Sequence, residues 1–207
     1  VYTPLQAFYL ASNSVGILLL SISVMLMSSE QLRNELEKLL RHDALTGALT
    51  RRTVFEYAED ELARSSRRDA PFSMLLIDLD HFKMINDKYG HQVGDTVLTH
   101  FVQCVEQVLR RPSVIGRYGG EEFIVILPDT TKEQAVQVAE RVQSYLRTQT
   151  VPPKFTVSIG VACSVDTRQE TLDAMIGRAD AALYDAKRNG RDRIEVQGQF
   201  LKTEASE

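Results

Sequence analysis

The pattern of hydrophobic and polar positions divides the chain into two parts, residues 1–29 and the residues that follow. Residues 1–29 contain no charged side chain, and their apolar stretch extends over residues 5–27. A helix of that length can cross the hydrocarbon core of a bilayer with some tilt. We therefore predict a transmembrane helix over residues 1–28. A buried or partner-packed helix is the alternative, because the polar side chains within the stretch are costly in lipid.

A charged segment follows at residues 29–42 and predicts a second helical region. Leu32, Leu36 and Leu39 are spaced four and then three residues apart, which is typical of the apolar stripe of a coiled coil. We predict a signalling helix that pairs two chains, with docking onto its own domain as the alternative. Basic residues also cluster at positions 33, 38, 41, 51 and 52. The positive-inside bias then places the downstream chain in the cytoplasm.

Beyond residue 43, short apolar runs alternate with amphipathic helices. Residues 72–79 predict a buried strand, and residues 94–109 place their apolar side chains on one face of a helix. The same reasoning predicts helices at residues 50–65, 132–147 and 171–187, and strands at residues 114–118, 121–127, 154–162 and 193–196. Gly119 and Gly120 would join two of these strands in a tight hairpin, which excludes a purely parallel sheet.

These elements predict an α+β domain over residues 43–197, with a mixed, largely antiparallel sheet flanked by helices. The polar residues 198–207 predict a disordered tail. The formal net charge of −4 argues against a general nucleic-acid surface, so no nucleic-acid partner is expected. Cys104 and Cys163 lie in apolar runs and are too few for a disulfide framework. Both are therefore predicted to be buried thiols of a reducing compartment.

Acidic residues lie at the ends of the predicted strands. Asp78 and Asp80 end the first strand, and Glu121 and Glu122 follow the two glycines. Asp78 and Glu121 could share a metal if their strands are neighbours, because adjacent strands lie about 4.8 Å apart. Clustered carboxylates favour Mg²⁺ or Mn²⁺, and Mg²⁺ usually takes one or two carboxylates plus substrate phosphates. The pattern indicates a nucleotide triphosphate, with a helix N-cap as the alternative for Asp80.

Basic and base-reading side chains accompany the acids. Lys83 follows the acidic strand end, and Lys187 and Arg191 flank the end of the last helix, where they could hold phosphate. Any one of these three would ordinarily be a solvated surface charge. Asn86 and Asp95 suit a guanine base, because a carboxylate can accept from its N1–H and N2–H₂ and adenine lacks that donor pair. Considered alone, Asp95 is more typical of a helix N-cap.

Five motifs occur in a fixed order in this part of the chain. They are DALTGALTRR at residues 43–52, DLDHFKMINDKYGHQVGD at 78–95, RYGGEEF at 117–123, VSIGV at 157–161 and ADAALYDAK at 179–187. Together they resemble the GGDEF-domain diguanylate cyclases, in the GGEEF form of the active-site hairpin. The resemblance covers residues 43–196, and the order of all five motifs makes it specific.

The resemblance implies a palm-like fold, related to nucleotidyl cyclases and polymerases. It also implies a homodimer that condenses two GTP molecules into cyclic di-GMP and two pyrophosphates. Two Mg²⁺ or Mn²⁺ ions per site would be bound by Asp78, the Leu79 carbonyl, Glu121 and Glu122. Glu121 would also be the base for the attacking 3′-hydroxyl. The expected location is the bacterial inner membrane, with the catalytic domain in the cytoplasm and the N-terminal helix in the lipid.

The resemblance also assigns the substrate contacts. Guanine would be held by Asn86 and Asp95, and the phosphates by Lys83, Lys187 and Arg191. Gly119 and Gly120 would let the nucleotide approach the backbone, because neither carries a Cβ.

One position departs from the family pattern. The family's product-inhibition site is Arg-x-x-Asp just before the hairpin, and here Arg110 is present but Ser113 replaces the aspartate. We expect weak or absent feedback through this site. A catalytically inactive receptor or scaffold is the alternative function, and a cyclase with relaxed base choice is a third. The retained acids argue against the former and Asp95 against the latter.

Overall fold

The computed structural model describes residues 3–39, 41–149, 153–164 and 170–197. The chain divides into two compact units, residues 1–41 and residues 42–207. The tail predicted at residues 198–207 lies outside the described residues, so its disorder stays a prediction.

The first unit is one long helix, α1 (Pro4–Leu39). Its segment Asn13–Gln31 has the length and composition of a membrane span, with a mean hydropathy of 1.4 and exposed side chains. Signal sequences near an N-terminus meet the same criterion, so the helix is weak support for the predicted anchor. The backbone of the predicted apolar stripe is helical, but the side chains of Leu32, Leu36 and Leu39 lie outside those described. The pairing of two chains therefore stays a prediction.

The second unit is built on one five-stranded sheet. In chain order its strands are β1 (Phe72–Leu79), β2 (Val114–Gly119), β3 (Glu122–Pro128), β4 (Val157–Cys163) and β5 (Ile194–Val196). They lie side by side in the order β2-β3-β1-β4-β5. Neighbouring strands are antiparallel, except that β4 and β5 are parallel. The predicted mixed, largely antiparallel sheet is confirmed, and β1 is its central strand.

Helices cover both faces of this sheet. They are α2 (Arg51–Arg68), α3 (Phe82–Tyr89), α4 (His91–Val108), α5 (Lys132–Thr148) and α6 (Leu172–Arg188). Helices α2 and α6 pack on one face, and α3, α4 and α5 pack on the other. The fold is therefore the α+β arrangement that the hydrophobic pattern predicts.

Strand β1 is buried along its whole length, because it packs against helices on both sides. Alternation directs Met74 and Leu76 toward α2 and α6, and Leu75 and Ile77 toward the opposite helical layer. Full burial of each such side chain stabilises the fold by about 1.5–3 kcal/mol. A charge at any of these positions would break the core. The rigid strand fixes the direction of Asp78, which follows Leu76 on the α2 and α6 face.

The hairpin turn lies one residue later than predicted. Strand β2 continues through Gly119, which pairs with Glu122, so the two turn residues are Gly120 and Glu121. A register shift between Arg117 and Gly119 accompanies this pairing. Gly120 has a φ of 31°, in the left-handed region that favours glycine. The prediction that Gly119 and Gly120 form the turn was therefore wrong, and Glu121 lies in the turn rather than in β3.

Two other predicted positions need correction. Helix α4 begins at His91 with Gly90 as its N-cap, so Asp95 lies inside the helix and the N-cap alternative is wrong. Cys104 is buried as predicted, but Cys163 is only half-buried at the end of β4. Both thiols are free, and burial raises the pKa of each.

Candidate active site

Two acidic side chains meet where β1 ends and β3 begins. Asp78 and Glu122 are direct partners in the antiparallel register, and residues so placed have Cβ atoms about 4.5–5.5 Å apart. Both lie on the α2 and α6 face, because Leu76 and Ile124 on the same strands alternate to that face. We expected Glu121 to be the residue beside Asp78. Instead Glu122 is the cross-strand partner, and the Glu121 carbonyl accepts the Leu79 N–H at 3.3 Å.

The carboxylate of Asp78 is held in a mixed electrostatic environment. Its Oδ2 accepts a hydrogen bond from Lys187 Nζ at 2.7 Å. Burial raises the pKa of Asp78, the Lys187 ammonium lowers it, and the charges of Glu121 and Glu122 raise it again. The net result is a pKa above the ordinary value. A single lysine therefore does not fully offset burial and the repulsion among the three acids.

Lys187 reaches Asp78 because α6 lies unusually close to the sheet. A Cβ at Gly160 of β4 would collide with the carbonyl oxygen of Ala179 and the amide nitrogen of Leu183, both on α6. Only glycine allows this approach. Lys187 follows Leu183 by four residues and so lies on the same side of the helix. The glycine of the VSIGV motif thus positions a side chain of the next motif.

The residues at this site fit a divalent cation. Asp78, Glu121 and Glu122 offer carboxylate oxygens, the donors that Mg²⁺ and Mn²⁺ prefer. The two glutamates lie near enough to raise the pKa of Asp78, and a bound cation would relieve that repulsion. Across the described ranges, no three His, Cys, Asp or Glu side chains form a ready ligand set. Mg²⁺ in proteins usually takes one or two carboxylates and completes its shell with water or phosphate oxygens.

A brace holds the hairpin turn, and the sequence reasoning missed it. Arg117 donates from Nε and Nη2 to the Gly120 carbonyl at 3.0 and 2.9 Å, and from Nη1 to Asp43 Oδ1 at 3.0 Å. Asp43 also accepts from the Thr46 N–H and hydroxyl at 2.9 and 2.7 Å. Burial raises the pKa of Asp43, but the bonds from Thr46 and Arg117 outweigh it and lower the pKa below its usual value. The signal was the presence of both residues in the matched motifs.

The expected base-reading residues lie where α3 meets α4. Gly90 ends α3 and begins α4, with a φ of 84° that permits the sharp change of direction. A Cβ at Gly94 would collide with Asn86 Oδ1, so the Asn86 amide lies against the backbone of α4. Asn86 is half-buried and Asp95, the next residue after Gly94, is exposed. The structure therefore brings the Asn86 side chain next to the residue that precedes Asp95.

The expected phosphate residues lie in different parts of the fold. Lys187 contacts Asp78 directly. Lys83 is exposed on the first turn of α3, three residues before Asn86 and hence on the same side of that helix. Arg191 is exposed just beyond α6, with a φ of 62° and its N–H bonded to the Ala186 carbonyl at 3.0 Å.

The turn before β2 contains the two residues expected at the product-inhibition position. The Ser113 N–H donates to the Arg110 carbonyl at 2.9 Å, which closes the turn. Arg110 is exposed, and Ser113 is half-buried.

Asp80 has a different environment from the one expected. It does not cap α3, whose N-cap position is occupied by His81 in a left-handed conformation with φ 57°. Its two oxygens instead accept from Thr156 and Ser158 of the β4 region and from the Asp192 N–H. Strand β1 ends at Leu79, so Asp80 lies just beyond it and turns toward β4. The N-cap alternative is therefore wrong.

Comparison with known proteins shows the family to which the chain belongs. Residues 40–193 match the model of the family described as diguanylate cyclase, GGDEF domain. Diguanylate cyclase DgcM of Escherichia coli (strain K12) is 38% identical over 179 residues, which are 86% of this chain and 43% of that protein. The chain therefore spans less than half the length of this relative.

Solved structures agree in fold. Diguanylate cyclase SiaD of Pseudomonas aeruginosa, solved in complex with its activator SiaC, matches with a TM-score of 0.72 at 34% identity. That match covers 93% of this chain and 77% of the SiaD chain. The GGDEF domain of DgcB from Caulobacter crescentus, solved with c-di-GMP, matches with a TM-score of 0.72 at 29% identity, covering 75% of this chain and 95% of that chain. The chain belongs to the GGDEF-domain diguanylate cyclase family.

Proposed function

We propose that this protein condenses two GTP molecules into cyclic di-GMP with release of two pyrophosphates. The observation that supports the proposal most is the register of β1 and β3. It places Asp78 opposite Glu122, beside the turn that contains Glu121 and within 2.7 Å of the Lys187 ammonium. Carboxylates that repel one another next to a lysine suit a magnesium-bound triphosphate better than a purely structural role.

The reaction is two successive phosphoryl transfers. The 3′-oxygen of one GTP attacks the α-phosphorus of the other, the bond to the β-phosphate oxygen breaks, and pyrophosphate leaves with that electron pair. The second transfer runs in the opposite direction and closes the ring. Glu121 is the residue proposed to take the proton from the 3′-hydroxyl. Its place in the turn, outside the β-ladder, leaves the side chain room to reach a bound ribose.

The metal site is proposed to hold two Mg²⁺ or Mn²⁺ ions on Asp78, the Leu79 carbonyl, Glu121 and Glu122. When bound, such ions lower the pKa of the 3′-hydroxyl and stabilise charge at the α-phosphate. The chain's own contribution is to hold the carboxylates in place. The β-ladder fixes Asp78 and Glu122, and the Arg117 brace fixes the Gly120 carbonyl beside Glu121.

Substrate recognition is proposed to use the two ends of the site. Asn86 and Asp95 would hold the guanine base, with the Asp95 carboxylate accepting from its N–H groups, and Lys83, Lys187 and Arg191 would bind phosphate oxygens. Neither Gly119 nor Gly120 has a close neighbour that a Cβ would displace: the nearest atom is Glu122 Oε2, 3.8 Å from the Cβ position of Gly119. Open backbone at both positions lets a nucleotide approach the hairpin closely.

Two chains are needed in this proposal, because each chain binds one GTP and the product joins two guanosine nucleotides. We propose a homodimer with facing sites, anchored in the bacterial inner membrane by α1 and with the second unit in the cytoplasm. The length and composition of Asn13–Gln31 support the anchor. The departure at Ser113 supports weak product feedback, since serine supplies no carboxylate opposite Arg110.

The test is to incubate the purified protein with Mg²⁺ and either GTP or ATP, and to identify the products by mass spectrometry. We expect cyclic di-GMP and pyrophosphate from GTP, and no cyclic dinucleotide from ATP. Rates per chain should rise with protein concentration if two sites must meet. Binding of GTP without any turnover would instead favour the receptor or scaffold alternative.

A second measurement concerns feedback. Titration with cyclic di-GMP should show no micromolar inhibition through the Arg110 turn. A micromolar binding isotherm that Arg110→Ala abolishes would contradict this expectation.

A further inference from the structure

Two of the matched motifs contain polar side chains that the proposed reaction does not use. Asp80 belongs to the acidic motif, and Ser158 belongs to the VSIGV motif. The structure joins them: Ser158 Oγ donates to Asp80 Oδ1 at 2.7 Å, and Thr156 Oγ1 donates to Oδ2 at 2.6 Å. Asp80 is only 3% exposed, so these bonds lie in the protein interior. An acid buried and bonded in this way is held firmly in one orientation.

A third bond connects Asp80 to a distant loop. The Asp192 N–H donates to Asp80 Oδ2 at 3.0 Å, across 112 positions of the sequence. Asp192 follows Arg191, and the two residues have φ angles of 45° and 62°. Consecutive residues other than glycine rarely adopt the left-handed region, and they keep it only where the surroundings hold them. The loop that carries Arg191 is therefore held by contacts outside itself.

Those contacts can be followed residue by residue. The Arg191 N–H donates to Ala186 at 3.0 Å, and the Arg193 carbonyl accepts from the Ile159 N–H at 2.9 Å. Both bonds join main-chain atoms of the loop to α6 and β4, and neither involves a side chain. The residue between them, Asp192, is bonded at its N–H by the Asp80 side chain. Among the described residues, Asp80 is the buried side chain that bonds to this loop.

The other contact of Asp192 is a surface ion pair. Its carboxylate lies 3.0 Å from Arg147 Nη2, with the two side chains 39% and 58% exposed. Exposed pairs of this kind contribute little, because water and salt screen them. The bond from Asp80 is therefore the stronger restraint on this loop.

We propose that Asp80 is a positioning residue, which holds the Asp192 amide and thereby keeps Arg191 directed for binding the triphosphate of GTP. The inference rests on the proposed function, which assigns Arg191 to phosphate. It gives the second aspartate of the motif a task different from that of Asp78. Asp80 touches neither substrate nor metal and acts only through the loop.

The first test measures the dissociation constant of a non-hydrolysable GTP analogue, by calorimetry, for the full chain. Asp80→Ala should weaken binding about tenfold, the usual effect of losing one well-directed charged contact. In turnover the change should appear in KM for GTP rather than in kcat. Ser73→Ala is the matched control, because it removes a buried bond to the Thr130 carbonyl at the other end of β1 and should leave the affinity unchanged.

Two further variants separate positioning from general destabilisation. Asp80→Asn can offer its oxygen to the Asp192 N–H and its amide to Ser158, and should restore most of the affinity. In an Arg191→Ala background, Asp80→Ala should change the affinity less than about twofold, because coupled positions are not additive. Asp80→Ser replaces Asp80→Ala if the latter does not fold.

An independent readout is the hydrogen exchange of the Asp192 amide, which needs no nucleotide. Exchange should be faster in Asp80→Ala than in the wild-type chain and in Ser73→Ala. Equal exchange in Asp80→Ala and the wild-type chain would overturn the proposal. So would an equal loss of affinity on Asp80→Ala with and without Arg191. An Arg191→Ala variant that binds the analogue as well as the wild type would overturn it too. A wild-type chain that binds the analogue but makes no cyclic di-GMP would defeat the proposed function and leave these measurements decisive for Asp80.

Discussion

The two sides of β1 differ at its end, although the acids there are only two residues apart. Toward β3, Asp78 faces Glu122 across the ladder, and its pKa is raised by burial and by two neighbouring glutamates against one lysine. Toward β4, Asp80 accepts hydrogen bonds from two hydroxyls and one amide. The surroundings of Asp78 leave negative charge to be neutralised, whereas the surroundings of Asp80 provide hydrogen-bond donors to both of its oxygens.

This difference shows how the acid proposed to bind metal can be separated from the acid proposed to support a loop. Both belong to one motif, so the motif alone does not distinguish them. Burial, together with the nearby charges of Glu121 and Glu122, raises the pKa of Asp78 and disfavours its charged form in the metal-free fold, which is the usual condition of a cation site. The donors that converge on Asp80 tie the end of β1 to β4 and to the loop at Asp192.

The largest expected effects come from replacing each of the two acids, Asp78 and Asp80, in turn. Asp78→Asn should reduce turnover by at least about a hundredfold, because a group that acts on the transition-state charge is lost. Its free energy of unfolding should stay within about 1 kcal/mol of wild type, because the lost charge was unfavourable in the fold. Asp80→Ala should lower that free energy by about 2–4 kcal/mol, since three donors lose their acceptor.

Urea unfolding and initial rates measure both quantities in one set of proteins. If Asp78→Asn lowered the free energy of unfolding as much as Asp80→Ala does, the proposed difference between the two acids would be wrong. Turnover of Asp78→Asn near the wild-type rate would also contradict it.

The next effect tests how Lys187 comes to lie beside Asp78. Gly160→Ala should lower the free energy of unfolding by about 2–4 kcal/mol and reduce turnover, because its Cβ would collide with the backbone of α6, which cannot yield as a flexible side chain can. Gly177→Ala is the matched control within α6 itself. Beyond the neighbouring residues and backbone of its own helix, no atom lies within 4 Å of the Cβ position of Gly177, so alanine should stabilise the helix by up to about 1 kcal/mol. Equal stability of the two variants in urea would contradict the close approach of α6.

The smallest effect is in the acid dependence of stability, measured in chelator without metal. The lowered pKa of Asp43 means that its contribution is present above the unfolded pKa and is lost as the pH falls through the folded pKa. The raised pKa of Asp78 has the opposite sign: ionisation costs stability, which is regained as the pH falls. Asp43→Asn should therefore reduce the loss of stability in acid, and Asp78→Asn should increase it. Identical pH profiles for both variants would refute these signs.

Much of the fold could be predicted because its signals are local. The bounds of β1 are those of the predicted run, since an apolar segment between Pro71 and Asp80 leaves little freedom. The hairpin was misplaced by one residue, because the pairing of Gly119 with Glu122 depends on the neighbouring strand. A pair of glycines marks a turn but does not fix its register.

Of the candidate site, only the groups proposed to bind metal and phosphate could be predicted. Asp78, Glu122 and Lys187 are chemically conspicuous in the sequence, and the structure brings them together. The supporting bonds could not be predicted, because Arg117 reaches Asp43 across 74 positions and Asp192 reaches Asp80 across 112. Such contacts arise from the tertiary fold and have no local pattern.

The central claim is that the carboxylates at the hairpin perform the reaction, and Glu121→Gln tests it most directly. The measurement is the formation of cyclic di-GMP from GTP and Mg²⁺ by the wild-type chain and by Glu121→Gln, with Glu106→Gln on the exposed surface of α4 as the matched control. We expect product from the wild-type and control proteins and none from Glu121→Gln, whose unfolding transition should be unchanged. Full activity of Glu121→Gln would contradict the account.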